Sequence, residues 1–106
     1  MALPSPSDET KLLASVLAPL LEDFQYWFGR SLQLLEQTGS IGGLSTDQQA
    51  HLTERLRQAL AETQTAAALL KATDGQVGVD TAQVMGWHRL VAECWALARR
   101  HRAASA

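Results

Sequence analysis

Three histidines and one cysteine are the side chains of this chain best suited to metal binding or acid–base chemistry. His51, His88 and His101 are widely spaced along the chain. None has the spacing of a zinc-protease helix or belongs to a Glu-x-x-His pair of the di-iron bundle type. Cys94 and His101 are seven residues apart and share one helical face, but two ligands do not complete a zinc site. We therefore expect a buried thiol and a helix-end imidazole, and no metal site.

Covalent catalysis and phosphate binding have little support in the sequence. Cys94 would need a neighbouring base and partial exposure, yet it lies in the middle of an apolar helical stripe that predicts burial. No nucleophile-elbow motif is present, and the glycine-containing stretch DGQVGVDT lacks the lysine of a P-loop. We expect no catalytic residue and no cofactor, and therefore no enzyme.

Four of the six aromatic residues fall within the stretch DFQYWF, Asp23–Phe28. A projection at about 100° per residue points three of them towards the leucines of the same helix, whereas Tyr26 projects about 200° from Phe24. Tyrosine, arginine and a neighbouring apolar side chain are typical of interface hot spots. The candidate interface therefore consists of Pro19, Glu22, Tyr26 and Arg30, and the apolar residues Leu69 and Met85 also fall outside the core-facing stripes.

The segment Thr73–Gln83 is the second candidate for a site, because an Asp-Gly pair and two glycines favour special backbone angles there. Val77 and Val79 are expected to fold inward and to cover the end of the bundle above Trp87. The candidate pocket residues are then Asp74, Gln76, Asp80 and His88. The alternative is a structured cap that ends one helix and starts the next.

The aromatic stretch belongs to a first helix that is predicted at about residues 6–38. Ser5 and Pro6 fit an N-cap followed by proline at the first helical position, and Gly39 fits the C′ residue that ends the helix. Pro19 lies inside this helix, on the side opposite the apolar arc, where a kink would bend the helix around the core.

Two further helices are predicted at about residues 46–73 and 81–103. Ser45 and Gln48 form the capping box of the second helix. Asp80 is the expected N-cap of the third helix, with a glutamine three positions later. No strand-like alternation is present beyond two valines in the second connection, so no sheet is expected.

Apolar residues at spacings of three and four mark the side of each helix that faces the core. In the first helix they are Leu13, Val16, Leu17, Leu20, Phe24, Trp27, Phe28, Ser31, Leu34 and Leu35. In the second they are Leu52, Leu56, Ala59, Leu60, Thr63, Ala66, Ala67 and Leu70. In the third they are Val84, Trp87, Leu90, Val91, Cys94, Trp95, Leu97, Ala98 and His101.

Short connections between long helices favour antiparallel neighbours, and bulky residues on the first and third helices match small ones on the second. The predicted fold is all-α: an antiparallel, up-down-up bundle of three long helices. It is expected to form a single domain over residues 1–106, with flexible ends at residues 1–5 and 104–106.

The overall composition is that of an ordinary soluble protein, with 46% hydrophobic and 19% charged residues. A net charge of -2 argues against nucleic-acid binding. The basic cluster Arg99–Arg102 suits the end of a helix, with a phosphate or lipid contact as the alternative. One cysteine allows no internal disulfide, and neither a signal peptide nor a membrane-spanning apolar run is apparent. We expect a cytoplasmic protein.

Three segments carry a resemblance to a known family: LLEDFQYWF (20–28), DGQVGVDTAQVMGWH (74–88) and LVAECW (90–95). The chain resembles a family of small, all-helical cyanobacterial proteins of about a hundred residues, known only as a domain of unknown function. The resemblance covers about residues 10–102 and implies the cytoplasm of a photosynthetic bacterium. It implies no activity, ligand or catalytic residue.

The function that these patterns favour is a non-catalytic protein–protein interaction or assembly module in a cyanobacterial cytoplasm. Its partner is another protein or a second copy of the chain in a homodimer. The alternative is a small-molecule binder or enzyme with a site in residues 74–88. A peripheral membrane protein is disfavoured, because the polar side of the first helix carries Glu and Gln rather than Lys and Arg.

Overall fold

Three helices make up the fold, as predicted. The computed structural model describes the backbone of residues 6–76 and 79–105 and the side chains of residues 14–76 and 79–104. The helices are α1 (Pro6–Gln37), α2 (Thr46–Ala72) and α3 (Thr81–Ser105), and the described residues contain no strand. Because α1 contacts both α2 and α3, the three helices form a bundle.

The helix starts follow the predicted caps, with one difference. Ser45 Oγ accepts a hydrogen bond from Gln48 N at 3.1 Å, and Gln48 Oε1 accepts one from Ser45 N at 2.8 Å, which completes the capping box of α2. At the start of α3, Asp80 Oδ1 accepts from Ala82 N at 3.0 Å. Gln83 does not close a second capping box. Its side chain instead donates to Glu62 on α2 at 3.2 Å.

The ends of the chain differ in part from the prediction. α1 begins at Pro6, as expected, while its predicted N-cap Ser5 and the predicted flexible residues 1–5 lie outside the described residues. α3 continues two residues beyond its predicted end at 103, into the segment 104–106 that was predicted to be flexible. Residue 106 lies outside the described part of the chain.

α1 ends at Gln37, so Gly39 occupies the predicted C′ position, but its φ is not positive and it does not take the left-handed conformation common at that position. The chain instead leaves the helix through a hydrogen bond from Thr38 N to Leu34 O at 3.0 Å. It then buries Ile41, whose N–H donates to Gln49 Oε1 at 2.9 Å. The glycine with a left-handed conformation comes after the buried Ile41, at Gly43, with a φ of 84°.

The end of α2 has the special backbone angles that the Asp-Gly pair predicts. Asp74 and Gly75 have φ values of 53° and 81°. Gly75 N donates to Leu70 O at 2.8 Å, so the turn satisfies a carbonyl that the end of the helix leaves free. Val79 packs against the core as predicted, whereas Val77 lies outside the described residues.

The core consists mainly of the predicted stripes. Phe24 lies at its centre, stacked on Phe28 at 6.1 Å and edge-to-face with Trp87 at 5.9 Å between ring centroids. The buried apolar residues are Leu21, Phe24, Phe28, Leu32, Leu35, Ile41, Leu52, Leu56, Ala59, Leu70, Trp87, Leu90, Val91, Cys94 and Leu97. Apolar contacts across all three helices therefore hold the bundle together.

Five positions depart from the predicted core. Val16 and Trp95 were assigned to the stripes but are 60% and 41% exposed. Leu21, Leu32 and Ile41 were not assigned to them, yet each is buried. Leu21 and Leu32 project about 60–80° from Phe24, so the buried arc of α1 is wider than one stripe. The reason is that α1 packs against two other helices rather than one.

Polar contacts across the helices surround this core. Arg55 on α2 donates to both carboxylate oxygens of Glu93 on α3, at 2.8 and 2.6 Å. Glu36 on α1 and Arg57 on α2 form a looser pair at 3.9 Å. Contacts between α2 and α3 pair rising residue numbers on one helix with falling numbers on the other, since Arg55 meets Glu93 and Glu62 meets Gln83. This order is consistent with the predicted up-down-up arrangement.

Candidate interaction surface

The four predicted interface residues, Pro19, Glu22, Tyr26 and Arg30, are all exposed on α1. α1 runs through Pro19 without interruption. The Tyr26 side chain is 54% exposed, and Arg30 Nη1 donates to its hydroxyl oxygen at 2.9 Å. The spacings of three and four residues place all four side chains along one stripe of the helix.

Tyr26 is one end of a continuous group of aromatic side chains. The ring of Trp27 lies edge-to-face with Tyr26 at 5.1 Å and with Trp95 of α3 at 6.1 Å, both measured between centroids. We call Tyr26, Trp27 and Trp95 the aromatic ridge. Trp27 is half-buried against the core, whereas the other two rings are exposed. The ridge therefore extends from α1 to α3 on the surface of the bundle.

The sequence prediction placed Trp27 and Trp95 in the core and so missed the ridge. The signal that could have found it is their position at the edge of each stripe. Trp27 projects about 60° from Phe24, and Trp95 projects about 100° from Cys94. Residues at such edges are covered only where the neighbouring helix comes close enough.

Charges of opposite sign lie on either side of the ridge along α1. Glu22 and Asp23 are exposed on its N-terminal side, and Arg30 is exposed on its C-terminal side. Beyond the ridge, a groove of about 380 Å³ opens between α1 and α3. Its lining residues, which include no carboxylate among those described, are Trp27, Arg30, Ser31, Gln33, Leu34, Gln37, Cys94, Ala98, His101 and Arg102. This α1–α3 groove is therefore the basic side of the surface.

Cys94 lies against Ser31 on the wall of the α1–α3 groove, and both residues are buried. Burial raises the pKa of the Cys94 thiol, and the hydrogen bond between its side chain and Ser31 offsets only part of that effect. A neutral, enclosed thiol is a poor nucleophile, in agreement with its expected inertness. His101 lines the same groove, but no group of three or more metal-binding side chains occurs among the described residues.

The second predicted site is only partly assembled. Asp74, Gln76, Asp80 and His88 are all exposed. Asp80 lines a second groove, of about 360 Å³, at the start of α3, but the other three residues do not line it. Glu62 on α2 is a second carboxylate of this α2–α3 groove that the sequence prediction missed. The lining residues are Ala61, Glu62, Thr65, Ala66, Leu69, Val79, Asp80 and Gln83.

The two remaining apolar residues that the sequence prediction placed outside the stripes are indeed exposed. Leu69 is 46% and Met85 is 48% exposed. Leu69 lies at the α2–α3 groove, away from the aromatic ridge. None of the helices, over the part of the chain that the structure describes, is long and apolar enough to cross a membrane.

Comparison with known proteins identifies a family. Residues 7–103 match the model of a family described as "Protein of unknown function (DUF2605)". No curated protein and no solved structure matches the chain.

Proposed function

The chain belongs to the DUF2605 family of proteins of unknown function, and we propose that it is a non-catalytic protein–protein interaction module of a cyanobacterial cytoplasm. The observation that supports this function is the aromatic ridge beside Arg30. Tyr26 and Trp95 expose about half of their surface to water, at 54% and 41%. Tyrosine, tryptophan and arginine are the residues most enriched in the hot spots of protein interfaces.

The contacts within the ridge also favour binding. Edge-to-face packing joins Tyr26 to Trp27 and Trp27 to Trp95, and the Arg30 guanidinium holds the Tyr26 hydroxyl at 2.9 Å. Side chains that are already ordered lose less conformational entropy when a partner covers them. The ridge is thus a preorganised apolar surface with a polar rim, which is the usual anatomy of an interface.

The test is affinity capture with the wild-type chain and a Tyr26→Asp variant. A carboxylate on the ridge would have to be desolvated on binding, so Tyr26→Asp is expected to reduce capture of the partner about tenfold or more. Because Tyr26 is exposed, helicity and the melting temperature should change little.

Leu69→Asp is the matched control for this experiment, since Leu69 is exposed to a similar degree but lies on the α2–α3 groove. We expect Leu69→Asp to bind the partner as well as the wild type does. Undiminished capture by Tyr26→Asp would contradict the proposed surface. Loss of capture only in Leu69→Asp would move the interface to the other groove.

A second candidate function, binding of a small molecule, is favoured by the α2–α3 groove. The carboxylates of Glu62 and Asp80 lie beside the apolar side chains of Leu69 and Val79, an arrangement that suits a ligand with an amino group and an apolar part. A screen of amine metabolites by thermal shift tests it. A ligand-induced rise in melting temperature should be lost in Asp80→Asn and retained in His88→Ala. An absence of any such rise would contradict this candidate.

A further inference from the structure

We infer that the partner on the aromatic ridge is a second copy of the chain. The two copies form a two-fold dimer whose axis passes beside Tyr26, with their α1 helices crossing in opposite directions. The inference rests on the proposed function, because it specifies the occupant of the same surface. Three features of that surface support it: the order of its charges, the position of its aromatic centre and the absence, among the described residues, of a salt bridge from Glu22 or Arg30.

The order of charges along α1 is self-complementary. Glu22 lies four residues before Tyr26 and Arg30 lies four residues after it. At about 1.5 Å per residue, each is about 6 Å from Tyr26 along the helix axis. A two-fold axis through Tyr26 therefore places Glu22 of one copy opposite Arg30 of the other, and the same pair forms a second time by symmetry.

Charges beyond this pair follow the same order. Asp23 adds to the acidic side, and His101 and Arg102 extend the basic side along the α1–α3 groove. The acidic side of one copy thus meets the basic groove of the other. An acidic partner protein would match only one half of this surface and a basic partner only the other half. A second copy matches both.

The aromatic ridge lies at the centre of this arrangement. Tyr26 faces its symmetry mate near the axis, and Trp27 and Trp95 lie beside it. A dimer therefore buries six aromatic side chains at its centre and leaves the charged pairs at the rim, as in stable protein interfaces.

In the part of the chain that the structure describes, neither Glu22 nor Arg30 forms a salt bridge. The hydrogen bond to Tyr26 holds the Arg30 guanidinium close to the proposed axis. Parallel pairing of the two α1 helices would bring Arg30 against Arg30 and Glu22 against Glu22. The charges therefore favour the antiparallel crossing.

Charge reversal tests both the dimer and its symmetry. Sedimentation equilibrium should show a dimer for the wild type. Glu22→Arg and Arg30→Glu should each weaken self-association about tenfold or more, because each variant brings like charges together twice. An equimolar mixture of the two variants should form a heterodimer, since Glu22 of one then meets Arg30 of the other, and the two reversed residues also attract.

The matched control is Arg89→Glu, which reverses an exposed charge of α3 outside the surface and should leave the dimer intact. Circular dichroism should show equal helicity for all variants. The inference is overturned if the wild type is monomeric. It is also overturned if either charge-reversal variant alone dimerises as the wild type does, or if the mixture of the two variants does not associate. If the wild type is monomeric while Tyr26→Asp still loses a captured partner, the dimer is wrong and the interaction function stands. If the wild type is monomeric and Tyr26→Asp captures a partner as well as the wild type does, both the dimer and the proposed function are wrong.

Discussion

Cys94 shows how one residue's surroundings determine its chemistry. Its side chain is enclosed between α1 and α3, hydrogen-bonded with Ser31, and only 1% exposed. Burial raises the pKa of the thiol because the charged thiolate loses its hydration. The residue therefore acts as a small apolar side chain that happens to contain sulfur.

The raised pKa of Cys94 predicts a loss of stability at high pH. The unfolded chain ionises near the ordinary thiol pKa, about 8.5, while the folded chain ionises only at higher pH. The thiol contributes its full stabilisation of the folded state as long as the pH lies below the pKa of the unfolded chain. As the pH rises above it, proton loss stabilises the unfolded state first, and the free energy of unfolding falls. Urea unfolding at pH 7 and pH 10 should show a larger fall for the wild type than for Cys94→Ala.

Tyrosine, lysine and the terminus also titrate between pH 7 and pH 10, but they do so in both proteins. The difference between the wild type and Cys94→Ala therefore reports on the thiol. The variant should be less stable at both pH values because it leaves a small cavity. Equal falls in the two proteins would show that the thiol does not contribute to the pH dependence.

Tyr26 and Trp95 show how well the exposure of single side chains could be predicted from the sequence. The helical projection placed Tyr26 away from the core, and the side chain is exposed there. The same method placed Trp95 in the core and was wrong, since the ring is 41% exposed. A helical projection gives the direction of a side chain around one helix axis. It gives no information on the distance to the next helix, and that distance decides whether a residue at the edge of a stripe is covered.

Helix ends depend on local signals wherever a side chain makes the cap. The capping box of α2 and the Asp80 cap of α3 were both predictable, because their partners lie within three residues. The end of α1 was also predicted in position, but the backbone conformation of the connection after it was not. Several glycines follow α1, and the one with a left-handed φ is Gly43, two residues after the buried Ile41. The local pattern does not identify which of these glycines takes that conformation.

Alanine substitutions at Gly43 and Gly39 compare a glycine with a left-handed conformation and one without it. Gly43 has a φ of 84°, and an added methyl group there would clash with the Arg100 guanidinium of α3. Gly43→Ala should lower the free energy of unfolding by about 1–2 kcal/mol. Gly39 is not left-handed and a methyl group there meets no neighbour, so Gly39→Ala should change stability by less than about 0.5 kcal/mol.

Thermal and urea unfolding of the two variants measure this difference. A Gly39→Ala variant as unstable as Gly43→Ala would mean that the α1–α2 connection has a different conformation from the one described. The contact of Arg100 also gives one member of the C-terminal basic cluster a place in the fold, against the first connection.

The three-helix bundle follows from the sequence because its signals repeat over long segments. Stripes of apolar residues, caps and short connections all predict the same three helices, and the structure confirms them. The exposed stripe from Pro19 to Arg30 lies on one helix and could be found by projection. The two grooves could not, because each needs side chains from two helices, such as Arg30 with Arg102 or Glu62 with Asp80. Their assembly depends on how the helices pack.

The edge-to-face contact between Phe24 and Trp87 joins the middle of the first helix to the start of the last. Because synthesis runs from the N-terminus, α1 and α2 are made before α3. In that interval the nascent chain presents the side of α1 that includes Phe24 and Ser31 without its natural cover. A chain whose α3 has not yet docked therefore carries an uncovered aromatic surface, and docking of α3 is the step that protects the protein from aggregation through it.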